Sequence, residues 1–112
     1  MRFLILLISI FTFEAVNSEA LILPMRERAE VIDQIIDERI ATVLPGIMRR
    51  TGIDMWVIIS REYNEDPVLK TFLPSTWQTA RRRTILLIHD PGDDQPLETL
   101  AVARYAVGNT FI

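Results

Sequence analysis

The stretch GIDMWVIISREYNEDP, residues 52–67, changes from apolar to polar within a few positions. Its first half contains a continuous apolar run at residues 55–59, and its second half is a dense polar group at residues 60–66. A strand that is apolar at consecutive positions is typical of a sheet buried on both faces. The stretch therefore predicts a buried strand that delivers a polar loop to the edge of a sheet.

A long amphipathic helix is predicted before this strand, at residues 24–50. Pro24 suits a helix start because its missing N–H costs nothing there. Apolar residues then recur at three- and four-residue steps, which places one apolar stripe along the helix. The stripe consists of Ala29, Ile32, Ile35, Ile36, Ile40, Val43, Leu44 and Ile47. Pro45 cannot donate a backbone hydrogen bond to Ala41, so we expect a kink or break there, and Gly52 is expected to cap the helix.

Two further strands are predicted after a polar connection. The connection, residues 64–79, has room for a short helix at residues 67–72. The second strand is placed at residues 82–89 and the third, antiparallel to it, at residues 97–105. The sequence DPGDD between them, residues 90–94, is typical of a turn because proline presets φ and glycine permits positive φ. This order of elements predicts an α/β fold with helices against a sheet.

Size and composition limit the possible functions. The chain has 112 residues, which is one domain at most, and 49% of them are hydrophobic, so a globular core is expected. The absence of cysteine excludes disulfides, thiolate metal sites and cysteine nucleophiles. A net charge of −3 gives no argument for nucleic acid or for an acidic substrate.

The N-terminus has the pattern of a secretory signal. Arg2 precedes an apolar run at residues 3–13, and small residues precede a predicted cleavage site after Ala20. The apolar run is about 11 residues long, against the roughly 20 that a membrane-spanning helix needs. We therefore expect residues 1–20 to be a signal peptide and the protein to be exported, whether periplasmic or secreted. An uncleaved anchor and a wrongly assigned start codon are the alternatives.

The carboxylates and the single histidine do not form a catalytic pattern. His89 has no second histidine to complete a triad or a zinc site, so a local hydrogen bond at a strand end is predicted. By helical spacing, Glu30, Asp33 and Asp37 share one side of the helix, where we expect a solvated charged face. The acidic residues in the 90–94 turn lack the distal glutamate of a calcium loop and are interpreted as turn formers.

A run of three arginines at residues 81–83 is the strongest polar feature. Consecutive strand residues point to alternate faces, so these arginines cannot form one continuous patch. Separate ion pairs with Glu62, Glu65 or Asp66 are favoured over an anion site or a site for single-stranded nucleic acid. A third interpretation is an interface with a neighbouring domain or subunit. The candidate interface residues are Arg61, Glu62, Tyr63, Trp77, Arg81, Arg82 and Arg83.

The two tryptophans are interpreted differently. Trp56 lies inside the apolar run and is predicted to be a core residue. Trp77 lies in the polar connection, where an aromatic side chain can anchor an interface.

Four short blocks carry a resemblance to a known family. They are LPMRER at residues 23–28, GIDMW at 52–56, REYNEDP at 61–67 and RRRT at 81–84. In this order they resemble the N-terminal domain of creatinase/prolidase-type metallopeptidases, with the best match to secreted bacterial Xaa-Pro aminopeptidases. The resemblance covers nearly everything after residue 20. It implies a mixed β-sheet flanked by helices, so residues 21–112 are expected to be an incomplete, apparently truncated domain of this type. The strand edge after Thr99 is expected to be exposed and to favour association.

The resemblance also implies a functional role. Enzymes of this family cut bonds next to proline with two divalent metal ions, commonly manganese, cobalt or zinc, which are held on a C-terminal domain. None of the metal-ligand motifs occurs in this sequence, so no catalytic residue, metal residue or bound cofactor is assigned to this chain. What is implied is a non-catalytic domain that packs on a catalytic domain or a neighbouring subunit and supports oligomerisation. The alternative is a free-standing binding module that has lost the enzyme domain; neither nucleic-acid binding nor a stable membrane span is expected.

Overall fold

The computed structural model describes residues 22–112, and the predicted signal peptide lies outside the described residues. Within this range, three α-helices and a π-helical segment accompany a three-stranded sheet. This combination confirms the α/β class in its coarse form. The resemblance implies a mixed sheet, whereas all the strand pairs described are antiparallel.

One long helical segment precedes the sheet. It consists of α1 (Met25–Glu38), a π-helical segment (Arg39–Val43) and α2 (Leu44–Thr51). The residue before α1 is Pro24, as the sequence predicts. Gly52 ends α2 in the left-handed conformation, with φ of 68°, and this confirms the predicted cap.

The π-helical segment keeps one side of the long helix facing the sheet. The N–H of Leu44 donates to the carbonyl of Arg39, five residues back and directly before Pro45. The irregularity expected at Pro45 therefore takes the form of a widened turn. The buried residues along the helix are spaced by four: Ile36, Ile40, Leu44 and Met48. In a regular helix of 3.6 residues per turn such residues drift round the axis, and the wider turn reduces that drift.

The three strands follow the predicted order. They are β1 (Met55–Arg61), β2 (Arg83–His89) and β3 (Glu98–Val102), with β2 in the centre of the sheet. Between β1 and β2 lies the short helix α3 (Pro67–Lys70), and Asp66 is the capping residue before it. The Asp66 side chain accepts a hydrogen bond of 2.7 Å from the N–H of Val68, which caps the helix. The predicted helix and the β2–β3 hairpin are thus confirmed, although β3 is shorter than expected.

The core lies between the helices and one face of the sheet. Ile58, Leu86 and Ile88 contribute the sheet side and are almost fully buried. The rings of Trp56 and Phe72 meet edge to face at 5.9 Å. Other core residues come from the helices, the connection and the C-terminal segment, among them Met48, Leu69, Val107 and Phe111.

The other face of the sheet is uncovered in the described part of the chain. Ile58 is 5% exposed, whereas its neighbours Val57 and Ile59 are 46% and 64% exposed. The prediction that both faces of the first strand are buried is therefore wrong for residues 22–112. The helices contribute core residues to one side only, so alternate residues of the apolar run differ in exposure.

The two edges of the sheet also differ. At the outer edge of β3, Ala101 N–H donates to the Ile112 carbonyl at 2.8 Å, and Ile112 N–H donates to the Thr99 carbonyl at 3.2 Å. The expectation of an exposed edge after Thr99 is wrong at these positions, because the C-terminal segment folds back and pairs with them.

Candidate interaction surface

The uncovered side of the sheet, which we call the open face, is a regular array of apolar side chains. The strand register aligns Val57 with Leu87 and Leu100 across the sheet, and the next row aligns Ile59 with Ile85 and Val102. The apolar members of the open face are Met55, Val57, Ile59, Ile85, Leu87, Leu100 and Val102. Contiguous apolar patches of this kind on soluble proteins mark interaction surfaces.

The two ends of the open face carry different charges. At one end Arg61 lies directly opposite Arg83, and both are exposed. Like charges in this arrangement repel each other, and neither guanidinium forms an ion pair within residues 22–112. At the other end His89 Nδ1 lies 2.9 Å from Glu98 Oε2, so the predicted local hydrogen bond of the histidine is confirmed. The open face therefore has a basic end and an end with a carboxylate.

Five of the seven predicted interface residues lie together at the basic end. Arg61, Glu62, Tyr63, Arg82 and Arg83 line one depression of about 560 Å³. The antiparallel register brings them together because the loops after β1 and before β2 meet at the same end of the sheet. We call this group the strand-end corner.

The remaining two predicted residues form a separate pair. The Arg81 guanidinium lies over the Trp77 ring, 5.8 Å from its centroid, in a cation–π contact. Trp77 is partly buried and packs against the core, so it is less available as an anchor than the sequence suggests.

The ion pairs predicted for the arginines at 81–83 are not formed in the described structure. Glu62 instead accepts a hydrogen bond from the backbone N–H of Arg82 at 3.3 Å. Glu65 and Asp66 accept hydrogen bonds from backbone amides of their own loop and of α3. Glu65 and Asp66 are thus engaged by backbone of their own segment, and Glu62 is engaged by backbone of the loop before β2.

Two residues of the strand-end corner have unusual backbone conformations. Tyr63 and Arg82 are both left-handed, with φ of 68° and 57°. Non-glycine residues in this region cost on the order of 1 kcal/mol each and are enriched at functional sites. The Tyr63 side chain is 93% exposed, so it projects a large aromatic ring into solvent beside the arginines.

A second apolar surface lies on the helix side of the sheet. It is a groove of about 450 Å³ between the long helix and α3, and we call it the helix groove. Its apolar lining includes Ile35, Val43, Ile47, Trp56, Val68 and Phe72. Trp56, predicted to be core, is only partly buried because it forms one wall of this groove. Part of the predicted helix stripe therefore remains exposed, with Val43 52% exposed.

An ion pair joins the long helix to the turn between β2 and β3, and sequence reasoning missed it. Arg49 donates to both oxygens of Asp90, at 2.8 and 3.0 Å, and to Asp94 at 3.1 Å. Hydrogen bonds from Arg49 and from the backbone N–H of Gly92 hold the pKa of Asp90 below its usual range. The sequence identified the turn, but a contact across 41 positions leaves no local signal.

Two carboxylates that we expected on a solvated face also bind other segments. Asp33 accepts hydrogen bonds of 2.8 Å from both the N–H and the hydroxyl of Ser75. Asp37 accepts a hydrogen bond from the Thr110 hydroxyl. The polar side of α1 therefore also binds the connection and the C-terminal segment, while Glu30 and Asp37 are exposed, as expected of a solvated face.

The described residues carry neither a metal-binding cluster nor a membrane-spanning helix. Residues 22–112 contain no group of three or more histidine, aspartate or glutamate side chains placed to hold a metal ion. Among these residues, no helix has the length and apolar character needed to cross a bilayer.

Comparisons with known proteins identify no relative of this chain. No family model, no curated protein and no solved structure matches the chain. The family resemblance therefore depends on the four short sequence blocks alone.

Proposed function

We propose that this chain is a non-catalytic docking domain, namely the N-terminal domain or a fragment of an exported Xaa-Pro aminopeptidase-like metallopeptidase. It packs on the catalytic domain or a neighbouring subunit and supports oligomerisation. The observation that carries the proposal is the open face, which presents seven apolar side chains without a covering layer in residues 22–112. The sequence blocks that resemble the creatinase/prolidase type supply the choice of family.

Covering the open face is energetically favourable. Fully burying a large aliphatic side chain stabilises by about 1.5–3 kcal/mol. Val57, Ile59, Leu100 and Val102 are each roughly half or more exposed, so each retains a substantial part of that free energy. Domains normally bury both faces of an apolar sheet by adding a second layer. A partner that supplies this layer gains the remaining free energy.

The charges define the chemistry of this partner. Its contact surface is apolar at the centre and carries an acidic group over Arg61 and Arg83, which would relieve their mutual repulsion. The strand-end corner then forms the polar rim of the interface, which is the usual arrangement around an apolar centre. Arg61, Glu62 and Tyr63 belong to this rim.

The first experiment reads the DNA beyond the codon for Ile112. In the family that the sequence blocks resemble, two aspartates, one histidine and two glutamates bind the metal ions. An open frame that encodes a domain with this set of residues supports the proposal. A genuine stop codon together with a soluble, monodisperse product supports the alternative, a free-standing binding module. Hydrolysis of an Xaa-Pro dipeptide by the purified 112-residue chain with added manganese would contradict both.

The second experiment tests the open face directly. The chain carries an affinity tag and is co-expressed with the polypeptide encoded downstream. Leu100→Asp places a charge in the centre of the open face, so at least tenfold less partner is expected to co-purify. Val31→Asp is the matched control, because Val31 is a similarly exposed apolar residue on α1, away from the sheet. Equal recovery of the partner with both variants would overturn the assignment of the open face.

A further inference from the structure

The strand-end corner gathers three guanidinium groups from two segments of the chain. Arg61 ends β1, Arg83 begins β2 directly opposite it, and Arg82 comes immediately before Arg83. All three residues are exposed, and all three line the same depression of about 560 Å³. Within residues 22–112, none of their guanidinium groups donates a hydrogen bond or forms an ion pair. The corner therefore presents charged donors that the described part of the chain does not use.

The residues of the corner do not balance its charge. Among the residues that line the depression, three guanidinium groups face the single carboxylate of Glu62, which leaves an excess of two positive charges. Glu65 and Asp66 accept hydrogen bonds from nearby backbone amides and lie outside the lining. Arg61 and Arg83 lie opposite each other across the strands, where like charges are destabilising. An anion bound between them would remove this repulsion.

Hydrogen bonds hold the backbone of the corner in place. The Glu62 N–H donates to the Arg82 carbonyl at 2.7 Å, and the Arg82 N–H donates to the Glu62 carboxylate at 3.3 Å. On the β1 side, the Asn64 N–H donates to the Arg61 carbonyl at 3.0 Å and closes a tight turn. Tyr63 and Arg82 keep their left-handed conformations within this network. The backbone from which the guanidinium groups extend is therefore arranged before a ligand binds, which reduces the cost of binding.

The number of donors and the charge of the corner select the kind of anion. A carboxylate carries one negative charge and pairs with a single guanidinium through two parallel hydrogen bonds. A phosphate group carries close to two negative charges at neutral pH and has several acceptor oxygens, so it can accept from more than one guanidinium. The excess of two positive charges therefore matches a phosphate dianion better than it matches a carboxylate.

We infer that the strand-end corner is a binding site for a small phosphate dianion, which Arg61, Arg82 and Arg83 hold. The exposed ring of Tyr63 borders the same depression, so it can contact an aromatic group that the phosphate carries. The phosphate comes either from the free ion or from an aryl phosphate monoester, and the test distinguishes the two. This inference goes beyond the proposed function, because it assigns a small-molecule ligand that does not need the docking partner.

The test titrates the isotope-labelled chain, as it is recovered from expressing cells, with sodium phosphate at neutral pH. Sodium chloride keeps the ionic strength constant, so general screening of the charges does not change during the titration. Backbone amides are followed by NMR, and saturable shifts are expected at residues 61–63 and 82–83. The amides of α2 are expected to stay unchanged, because that helix lies outside the corner.

Phenyl phosphate distinguishes the two sources of the phosphate group. If the site is built for an aryl phosphate, phenyl phosphate is expected to bind at least threefold more tightly than inorganic phosphate. Tyr63→Ala is then expected to abolish this difference and to leave the binding of inorganic phosphate unchanged. Equal affinities for the two ligands in the parent chain assign the site to free phosphate.

Variants separate a built site from general attraction to positive charge. Arg61→Gln and Arg83→Gln are each expected to weaken phosphate binding at least fivefold, because each removes a guanidinium from the lining. Arg50→Gln is the matched control, since Arg50 is an exposed arginine at the end of α2 and its loss changes the net charge equally. Leu100→Asp on the open face is expected to leave phosphate binding unchanged. This inference and the proposed function therefore fail independently.

Thermal unfolding provides a second measurement. Phosphate that binds the folded chain raises its melting temperature above the value in sodium chloride of equal ionic strength. Phosphate also stabilises folded proteins in general because it is excluded from their surface. The double variant Arg61→Gln/Arg83→Gln measures that general part, and the parent chain is expected to show the larger rise.

Three results would overturn the inference. The first is a set of shifts that increase with phosphate without saturating, or that sodium chloride alone reproduces. The second is equal phosphate affinity of the parent chain and the double variant, which would identify the arginines as a solvated charged surface. The third is an equal loss of affinity in Arg50→Gln, which would show that only the net charge matters.

Discussion

The two faces of the sheet are built from the same strands and much the same residue types, yet only one is buried. Leu86 on the helix side is fully buried, and Leu100 on the open face is 48% exposed. The difference arises from the helices and the C-terminal segment, which supply core residues to one side only. Hydrophobic character therefore defines which residues can be buried, and the arrangement of the neighbouring elements decides which of them are.

Replacing a leucine by alanine on each face of the sheet should give the largest difference in the free energy of unfolding. Leu86→Ala removes a fully buried side chain and is expected to lower the free energy of unfolding by about 2–5 kcal/mol. Leu100→Ala is expected to cost less than about 1 kcal/mol, because that side chain already contacts water. Urea unfolding followed by tryptophan fluorescence measures both. Equal losses would mean that the open face is covered in solution.

The second largest change in stability is expected in the C-terminal segment, which contributes Val107 and Phe111 to the core on the helix side of the sheet. Gly108 has φ of 64°, and a Cβ built there would lie 3.2 Å from Cβ of Pro74. Gly108→Ala is therefore expected to destabilise by about 1–2 kcal/mol, since it adds backbone strain and crowding beside Val107. Gly46→Ala is the control, because a Cβ there has no neighbour within 4 Å and alanine favours the helix. A Gly108→Ala variant as stable as the parent would show that the packing of the C-terminal segment contributes little to the free energy of unfolding.

Acid should weaken the ion pair between Arg49 of the long helix and Asp90 of the β2–β3 turn. The pKa of Asp90 is lowered in the folded chain, so its ionised form stabilises the fold above the ordinary aspartate pKa of about 3.9. That contribution is lost as the pH falls through the lowered folded pKa. Asp90→Asn is expected to be less stable than the parent at pH 7, with the difference shrinking below about pH 4. Urea midpoints measured from pH 2 to pH 7 test this, and a pH-independent difference would count against it.

The smallest effect on stability is expected on the open face itself. Val102→Thr keeps a β-branched side chain at a position that is 68% exposed, so its free energy of unfolding should change by less than about 0.5 kcal/mol. Binding of a fluorescent dye specific for apolar surface should nevertheless fall. Val31→Thr is the control, since it makes the same change at an exposed valine on α1 and leaves the open face intact. If Val102→Thr binds as much dye as the parent, the dye does not bind to the open face.

Local sequence signals predicted the elements but not their partners. The helix, its cap at Gly52, the short helix after Asp66 and the β2–β3 hairpin follow from spacing and turn chemistry within a few residues. The one-sided burial of β1 could not be read from an apolar run, because the run is the same whether one or two layers cover it.

The candidate site was predicted only in part. The grouping of Arg61, Glu62 and Tyr63 with Arg82 and Arg83 follows from two loops meeting at one end of an antiparallel pair. Their predicted ion pairs are not formed, and the carboxylates of Glu62, Glu65 and Asp66 accept hydrogen bonds from backbone amides instead. The helix groove depends on the packing of distant segments, and no residue pattern indicates it.

The pairing of Ile112 with the outer side of β3 limits how this protein can associate. Uncontrolled growth of β-sheets into fibres needs molecules with two available sides, each able to accept the next copy. Here the chain occupies part of one side itself through the two hydrogen bonds of Ile112, so that side is a poorer template for another copy than a fully free edge. Disrupting the pairing of Ile112 with Thr99 and Ala101 is accordingly expected to increase association through the sheet.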